Sequence, residues 1–130
     1  MGISIIISHY EPDAKRRYFR GLLKRTIDSI RNQDFESEIE IILCDDGSSW
    51  SECETNDTEI VHLQKEAVVC HQWLNDLDID QYLYIDSGPN YWAIRLKHMA
   101  FGIAKHENIL VLDDDHPFLS RYAVKKYNSY

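Results

Sequence analysis

Twice in this chain an apolar, β-branched run ends directly on a cluster of carboxylates. Glu38 to Cys44 leads into Asp45-Asp46-Gly47-Ser48-Ser49, and Ile109-Leu110-Val111-Leu112 leads into Asp113-Asp114-Asp115. Runs of that kind are strands covered on both faces, the environment of a parallel sheet. Ligands of such sheets gather beyond the carboxyl ends of the strands, so both clusters are expected at the edge where ligands bind. Each cluster also has a plain structural reading. Asp113-Asp114-Asp115 reads as a solvated acidic turn, and Asp45-Asp46-Gly47-Ser48 as a strand-to-helix turn with Gly47 giving backbone freedom and a serine as cap.

The rest of the chain fits the same architecture. Ile3-Ser4-Ile5-Ile6-Ile7 predicts a first strand, followed by a polar loop over Ser8 to Asp13. Tyr18, Leu22, Ile27 and Ile30 recur at roughly helical spacing and predict a helix from about Ala14 to Asn32. Glu59 to Leu63 predicts a short strand, Val68 to Leu77 a helix on an irregular apolar pattern, and Tyr82 to Ile85 another strand. A helix from about Tyr91 to Lys105 is expected to turn Ile94, His98, Phe101 and the small Ala100 and Ala104 toward the sheet. His116 to Tyr130 reads as a short helix or tail. Strands alternating with helices imply an α/β fold, a doubly wound and mostly parallel sheet with helices on both faces. At 130 residues the chain is expected to form one domain, residues 1–130, able to bury roughly two-thirds of its unfolded surface without disulfides.

Composition removes several classes of function. Fourteen Lys and Arg against 22 Asp and Glu give a net charge of −8, which argues against a non-specific grip on nucleic acid. The apolar runs are far too short for a transmembrane segment, and no signal peptide pattern opens the chain, so a cytoplasmic location is expected. Three cysteines, Cys44, Cys53 and Cys70, are an odd number without CxxC spacing, which reads as reduced thiols rather than a zinc site. No GxxxxGK[ST] loop, GxGxxG or nucleophile elbow is present.

The acidic clusters then carry the chemistry. Adjacent carboxylates repel one another, and ionising all of them is costly unless a cation is near. Mg²⁺ or Mn²⁺ takes oxygen ligands and commonly shares them with a substrate diphosphate. Alternate residues leaving a strand point the same way, so Asp113 and Asp115 are the expected metal pair. Lys97, or Arg95, offers a positive charge to a diphosphate, though an exposed helix lysine is the simpler reading of Lys97. His9 reads as a loop histidine or a phosphate contact, and His116 as a metal ligand, a base or a residue of a turn before Pro117. Trp50, Trp73 and Trp92 read as packing residues.

Taken together, five stretches in order resemble family-two glycosyltransferases. Ile3 to Glu11 looks like the family's first strand and nucleotide loop, and Thr26 to Phe35 like its "x-S-I-x-x-Q-x-F" helix end. Glu38 to Ser49 is similar to its second strand and "D-D-G-S", Lys97 to Lys105 to its "R-N-x-G-x-x-x-A", and Ile109 to Asp115 to its strand and "D-x-D" motif. The resemblance implies a GT-A fold that binds a nucleotide-diphosphate sugar, most often a uridine diphosphate sugar, with Mn²⁺ or Mg²⁺. Tyr10 and Glu11 would line the base or ribose pocket, and Asp46 with Asp45 beside it would contact the nucleobase. Asp113 and Asp114 would approach the ribose or metal, Asp115 would coordinate the metal, and Lys97 would meet the diphosphate. The implied reaction transfers the sugar to an acceptor hydroxyl with inversion, using a general base and a metal-stabilised leaving group.

The chain departs from the family in two ways. Lys97-His98 stands for Arg-Asn and Ala100 for Gly, and Ser51 to Ile79 carries no family signature. After the D-x-D motif only His116 to Tyr130 remain, without an acid, so most of the acceptor half and its base are expected to be missing. Two further readings follow. One is a catalytically incomplete module of the same fold that binds a nucleotide or a partner, with self-association through surface the missing half would cover. The other is a flavodoxin-like receiver or phosphatase, which needs a nucleophilic aspartate after the first strand, where this chain has Ser8-His9-Tyr10-Glu11.

Overall fold

The computed structural model describes residues 2–10, 18–46, 60–64, 72–85, 94–115, 117 and 120–128. Among these residues are five strands: β1 (Ile3–His9), β2 (Ile39–Asp46), β3 (Ile60–Gln64), β4 (Gln81–Ile85) and β5 (Ile109–Asp113). The helices are α1 (Tyr18–Arg31), α2 (Ile94–Ile103) and α3 (Ala123–Asn128), with a 3₁₀ turn at Gln72–Asp76. The strands form one sheet in the order β3-β4-β2-β1-β5. β4, β2, β1 and β5 run parallel, and β3 is an antiparallel edge strand beside β4. The expected α/β fold with a mostly parallel sheet is the one observed.

The two faces of the sheet are sorted by the period of two along each strand. Ile3, Ile5, Ile7, Ile41, Leu43, Tyr82 and Tyr84 pack on one face with Leu23, Ile27 and Ile30 of α1, and with Leu74, Leu77 and Val124. Ile6, Ile42, Cys44, Leu83 and Ile85 form the other face with Leu96 and Ala100 of α2. Helices therefore cover both sides, and β1 and β2 are buried along almost their whole length because they lie inside the sheet.

Polar groups tie the covering elements to the sheet. Arg31 ends α1 by donating from Nη1 to the Ile39 carbonyl at 2.7 Å and from Nε to the Asp78 carbonyl at 2.9 Å. Its Nη2 donates to Asp80 Oδ2 at 2.8 Å, and that oxygen also accepts from the Ile41 amide. Gln33 fastens α3: its Nε2 donates to the Ser120 carbonyl and its Oε1 accepts from the Val124 amide. Near the amino ends of the strands, buried Glu40 accepts from Ser4 Oγ (2.8 Å), the Lys105 amide (2.9 Å) and Gln81 Nε2 (2.8 Å). One carboxylate thereby bonds β1, β4 and the turn before β5. A Cβ on Gly2 would run into the His106 ring of that same turn.

Several sequence expectations are corrected. β1 runs to His9, so His9 belongs to a strand and not to a polar loop. The segment expected to be a helix up to Leu77 is a 3₁₀ turn over its described part. α2 shows the largest change: Ile94, His98 and Phe101 face solvent, and Leu96, Ala100, Met99 and Ile103 face the sheet. Of the expected face, Ala100 and Ala104 do pack toward the sheet, while Ile94, His98 and Phe101 do not. The small Ala100 lets the helix approach the sheet closely.

Candidate functional site

β1, β2, β4 and β5 end together, at His9, Asp46, Ile85 and Asp113. The register places Ser8 between Cys44 and Asp113, and His9 beside Asp45. Five carboxylates, Asp45, Asp46, Asp113, Asp114 and Asp115, thus meet at one edge of the sheet, as their positions after apolar strands predict.

The pleat then separates them. Asp45 continues the Ile41, Leu43 row and lies on the α1 face, fully buried, where Tyr82 donates its hydroxyl to Oδ2 at 2.9 Å. Asp46 continues the Ile42, Cys44 row and lies on the α2 face, also buried. On β5, Leu110 and Leu112 pack with the α1 face, so Asp113 falls on the α2 face. Asp113 and Asp115 are exposed, whereas Asp114 is half-buried. His9 Nδ1 lies 2.7 Å from Asp114 Oδ2. An ionised carboxylate only accepts, so Nδ1 carries the proton of that bond. The Asp114 carbonyl in turn accepts from Thr26 Oγ1 of α1 at 2.8 Å.

Lys97 sits half-buried on α2. Its ammonium is close enough to act on Cys44: burial pushes the Cys44 thiol up to about 12, Lys97 opposes that rise, and Asp45 and Asp46 add to it. Lys97 and Asp46 therefore border the same side of the edge with opposite charges. Ser8 Oγ is buried beside Asp113 in the register and has no hydrogen-bond partner among the described residues. A buried hydroxyl left without a partner costs about 1–3 kcal/mol, so this position favours a bound group that satisfies it.

Tyr10 is half-buried immediately after β1. Glu11, His116, Trp50, Trp92, Cys53 and Cys70 lie outside the described residues, as do Gly47, Ser48 and Ser49. The structure thus brings together Asp45, Asp46, Asp113, Asp114, Asp115 and Lys97. It adds Thr26 and Tyr82, to which the sequence reading gave no role there, and makes Ser8 and His9, read as loop residues, the end of β1. Strand parity was the available signal. Carried two residues past Ile7, it puts His9 on the α1 face and Ser8 on the α2 face.

The carboxylates of the edge can also be weighed as ligands of a divalent cation by their number and exposure. Among the described residues no three His, Cys, Asp or Glu side chains gather as a metal cage. Mg²⁺ or Mn²⁺ in phosphate sites needs only one or two carboxylates and completes its shell with water and phosphate oxygens. Two exposed carboxylates on one turn, Asp113 and Asp115, fit that smaller requirement.

No family model matches the chain, and no curated protein matches it. Among solved structures it is similar to TarS of S. aureus, a staphylococcal glycosyltransferase, with a TM-score of 0.61 and 18% identity. The fold is glycosyltransferase-like. The likeness covers 99% of this chain and 19% of the TarS chain, so the described sheet corresponds to a fraction of that protein. Among the described residues no helix is long and apolar enough to cross a membrane.

Proposed function

We propose that the carboxyl edge binds a nucleotide-diphosphate sugar and that the chain serves sugar transfer to an acceptor hydroxyl. The observation that carries this reading is the convergence of Asp46, Asp113, Asp115 and Lys97 at the carboxyl edge of a glycosyltransferase-like sheet. An edge carrying both carboxylates and a lysine suits a ligand with both hydrogen-bonding and anionic parts. Asp46 accepts from base or ribose donors. Lys97 faces the diphosphate as a point charge without the two-pronged geometry of arginine. The Ser8 hydroxyl supplies a donor already stripped of water.

Asp113 and Asp115 would hold a divalent cation, Mn²⁺ or Mg²⁺, whose charge stabilises the leaving diphosphate. The chain's own task is to orient the donor so that its anomeric carbon is open to the acceptor oxygen. Displacement there forms the new C–O bond, breaks the bond to the diphosphate and inverts the centre, while a base takes the acceptor proton. Asp45, sealed against Tyr82, contributes by holding the end of β2 rather than by taking that proton.

Calorimetric titration with uridine, guanosine and thymidine diphosphates, with and without Mn²⁺, tests the reading. The expected result is saturable binding of uridine diphosphate that needs Mn²⁺ and is lost in Asp115→Ala. Absence of binding to all three by a folded sample overturns it. A second reading is a donor-binding module without turnover, favoured by the sealing of Asp45 against Tyr82 and the pairing of Asp114 with His9, which leave neither carboxylate placed as the acceptor's base. Donor hydrolysis or transfer by the purified chain, abolished in Asp113→Ala, would decide against that module.

A further inference from the structure

Three adjacent carboxylates on one turn have no reason of their own to hold a fixed arrangement. Repulsion spreads them, and an exposed turn allows each many orientations. In this protein the middle one is held from two sides. Asp114 Oδ2 lies 2.7 Å from His9 Nδ1, and the Asp114 carbonyl accepts from Thr26 Oγ1 at 2.8 Å. The His9 side chain is fully buried and that of Asp114 only 18% exposed. Thr26 is fully buried on α1, where its hydroxyl also reaches the Leu22 carbonyl at 2.9 Å. The holding groups come from β1 and α1, the parts of the domain nearest the core. Asp113 and Asp115, on either side, stay exposed.

We propose that His9 is a positioning residue: with Thr26 it fixes Asp114 against the core and thereby presets Asp113 and Asp115 for the ligand. This rests on the reading of the carboxyl edge as a donor and cation site. It assigns Asp114 to the anchor and not to ligand contact. It also gives a buried histidine at a strand end a function that packing alone would not need, since an apolar side chain fills a buried position without requiring a partner.

The test uses the full chain and two readouts. The first needs no ligand: amide hydrogen exchange across residues 113–115, with ¹⁵N spectra of the His9 ring. The expected wild-type state is a proton on Nδ1 and slowed exchange at Asp114 and Asp115. His9→Leu should speed exchange at the turn by about tenfold or more while leaving Ile5 to Ile7 and Ile41 to Leu43 protected. His9→Asn, whose amide can donate from nearly the same place, should restore much of the protection. The second readout is Mn²⁺-dependent binding of uridine diphosphate. Asp114→Asn keeps an acceptor for His9 and should bind like wild type, whereas Asp113→Asn and Asp115→Asn should lose affinity.

Unchanged exchange at the turn in His9→Leu would overturn the proposal, and so would a loss in Asp114→Asn equal to that in Asp113→Asn. If His9→Leu fails to fold, Thr26→Val removes the other bond with little change of shape and is read the same way. Failure of wild type to bind any nucleotide diphosphate would refute the functional reading, and a turn held by His9 in the exchange data would then stand as a structural clamp without a ligand. The two failures are therefore distinguishable.

Discussion

Asp45 and Asp46 are neighbours in sequence and occupy opposite faces of the sheet, so their surroundings and their consequences differ. Asp45 accepts the Tyr82 hydroxyl where both residues are fully buried. Tyr82→Phe should lower stability by about 1.5–3 kcal/mol, the range for a hydrogen bond to a charged group, read from urea midpoints at an unchanged slope. Cys44, one residue earlier, is buried on the α2 face with its thiol pushed up to about 12. Its folded value lies above the unfolded 9.0, so the native state prefers the protonated form. The associated stability is full below pH 9 and is lost as pH rises toward 12. Cys44 should resist iodoacetamide in the native protein at pH 8 and react fully in urea, as peptide mass spectra would record. Glu38 and Lys105 form an exposed pair at 2.9 Å. The Lys105 hydrogen bond lowers the Glu38 value, and the same bond raises that of Lys105. That pair favours the folded state between the acid limb of Glu38 and the alkaline limb of Lys105, and salt should weaken it.

Among the elements, α2 separates what a sequence states from what only packing decides. Its spacing predicted one face of Ile94, His98, Ala100, Phe101 and Ala104, of which the two alanines pack toward the sheet. Leu96, Met99 and Ile103 join them there, leaving Ile94 60% and Phe101 49% exposed. Leu96→Ala should therefore cost about 2–5 kcal/mol in thermal or urea unfolding, and Phe101→Ser less than about 0.5 kcal/mol. The strands were legible because a parallel sheet demands apolar side chains on both faces, which leaves uninterrupted runs such as Ile3 to Ile7. The acidic edge was legible for the same reason, since a carboxylate following such a run has only the strand end to occupy. His9 was not. Its polarity suggested a loop, and the partner that makes its burial affordable, Asp114, is on the far side of the chain. Thr26 was hidden likewise, inside a helix whose spacing gives no sign of a hydroxyl turned toward a distant carbonyl. The Glu40 network was equally silent, because Ser4, Gln81 and Lys105 meet it only in three dimensions.

At the scale of the molecule, that network is where one substitution should spread furthest. Glu40→Ala would leave the Ser4 hydroxyl, the Gln81 amide and the Lys105 amide without their acceptor. A loss on the order of 3 kcal/mol in calorimetric or urea unfolding is expected, with Glu40→Gln intermediate because it retains one acceptor oxygen. The strand order has a consequence in time. β1 is synthesised before its two partners, and β2 reaches it soon after α1, but the partner on its other side is β5, with Ser4 opposite Ile109. Closing a loop on the order of a hundred residues is entropically slow, and contacts of such long range retard folding. On the ribosome, the flank of β1 that awaits β5 therefore stays uncovered until Ile109 to Asp113 have emerged. A nascent chain halted before Ile109 would expose the row of backbone donors and acceptors that another copy can pair with, so arrested chains should recruit chaperones or clump, and release of β5 should end both.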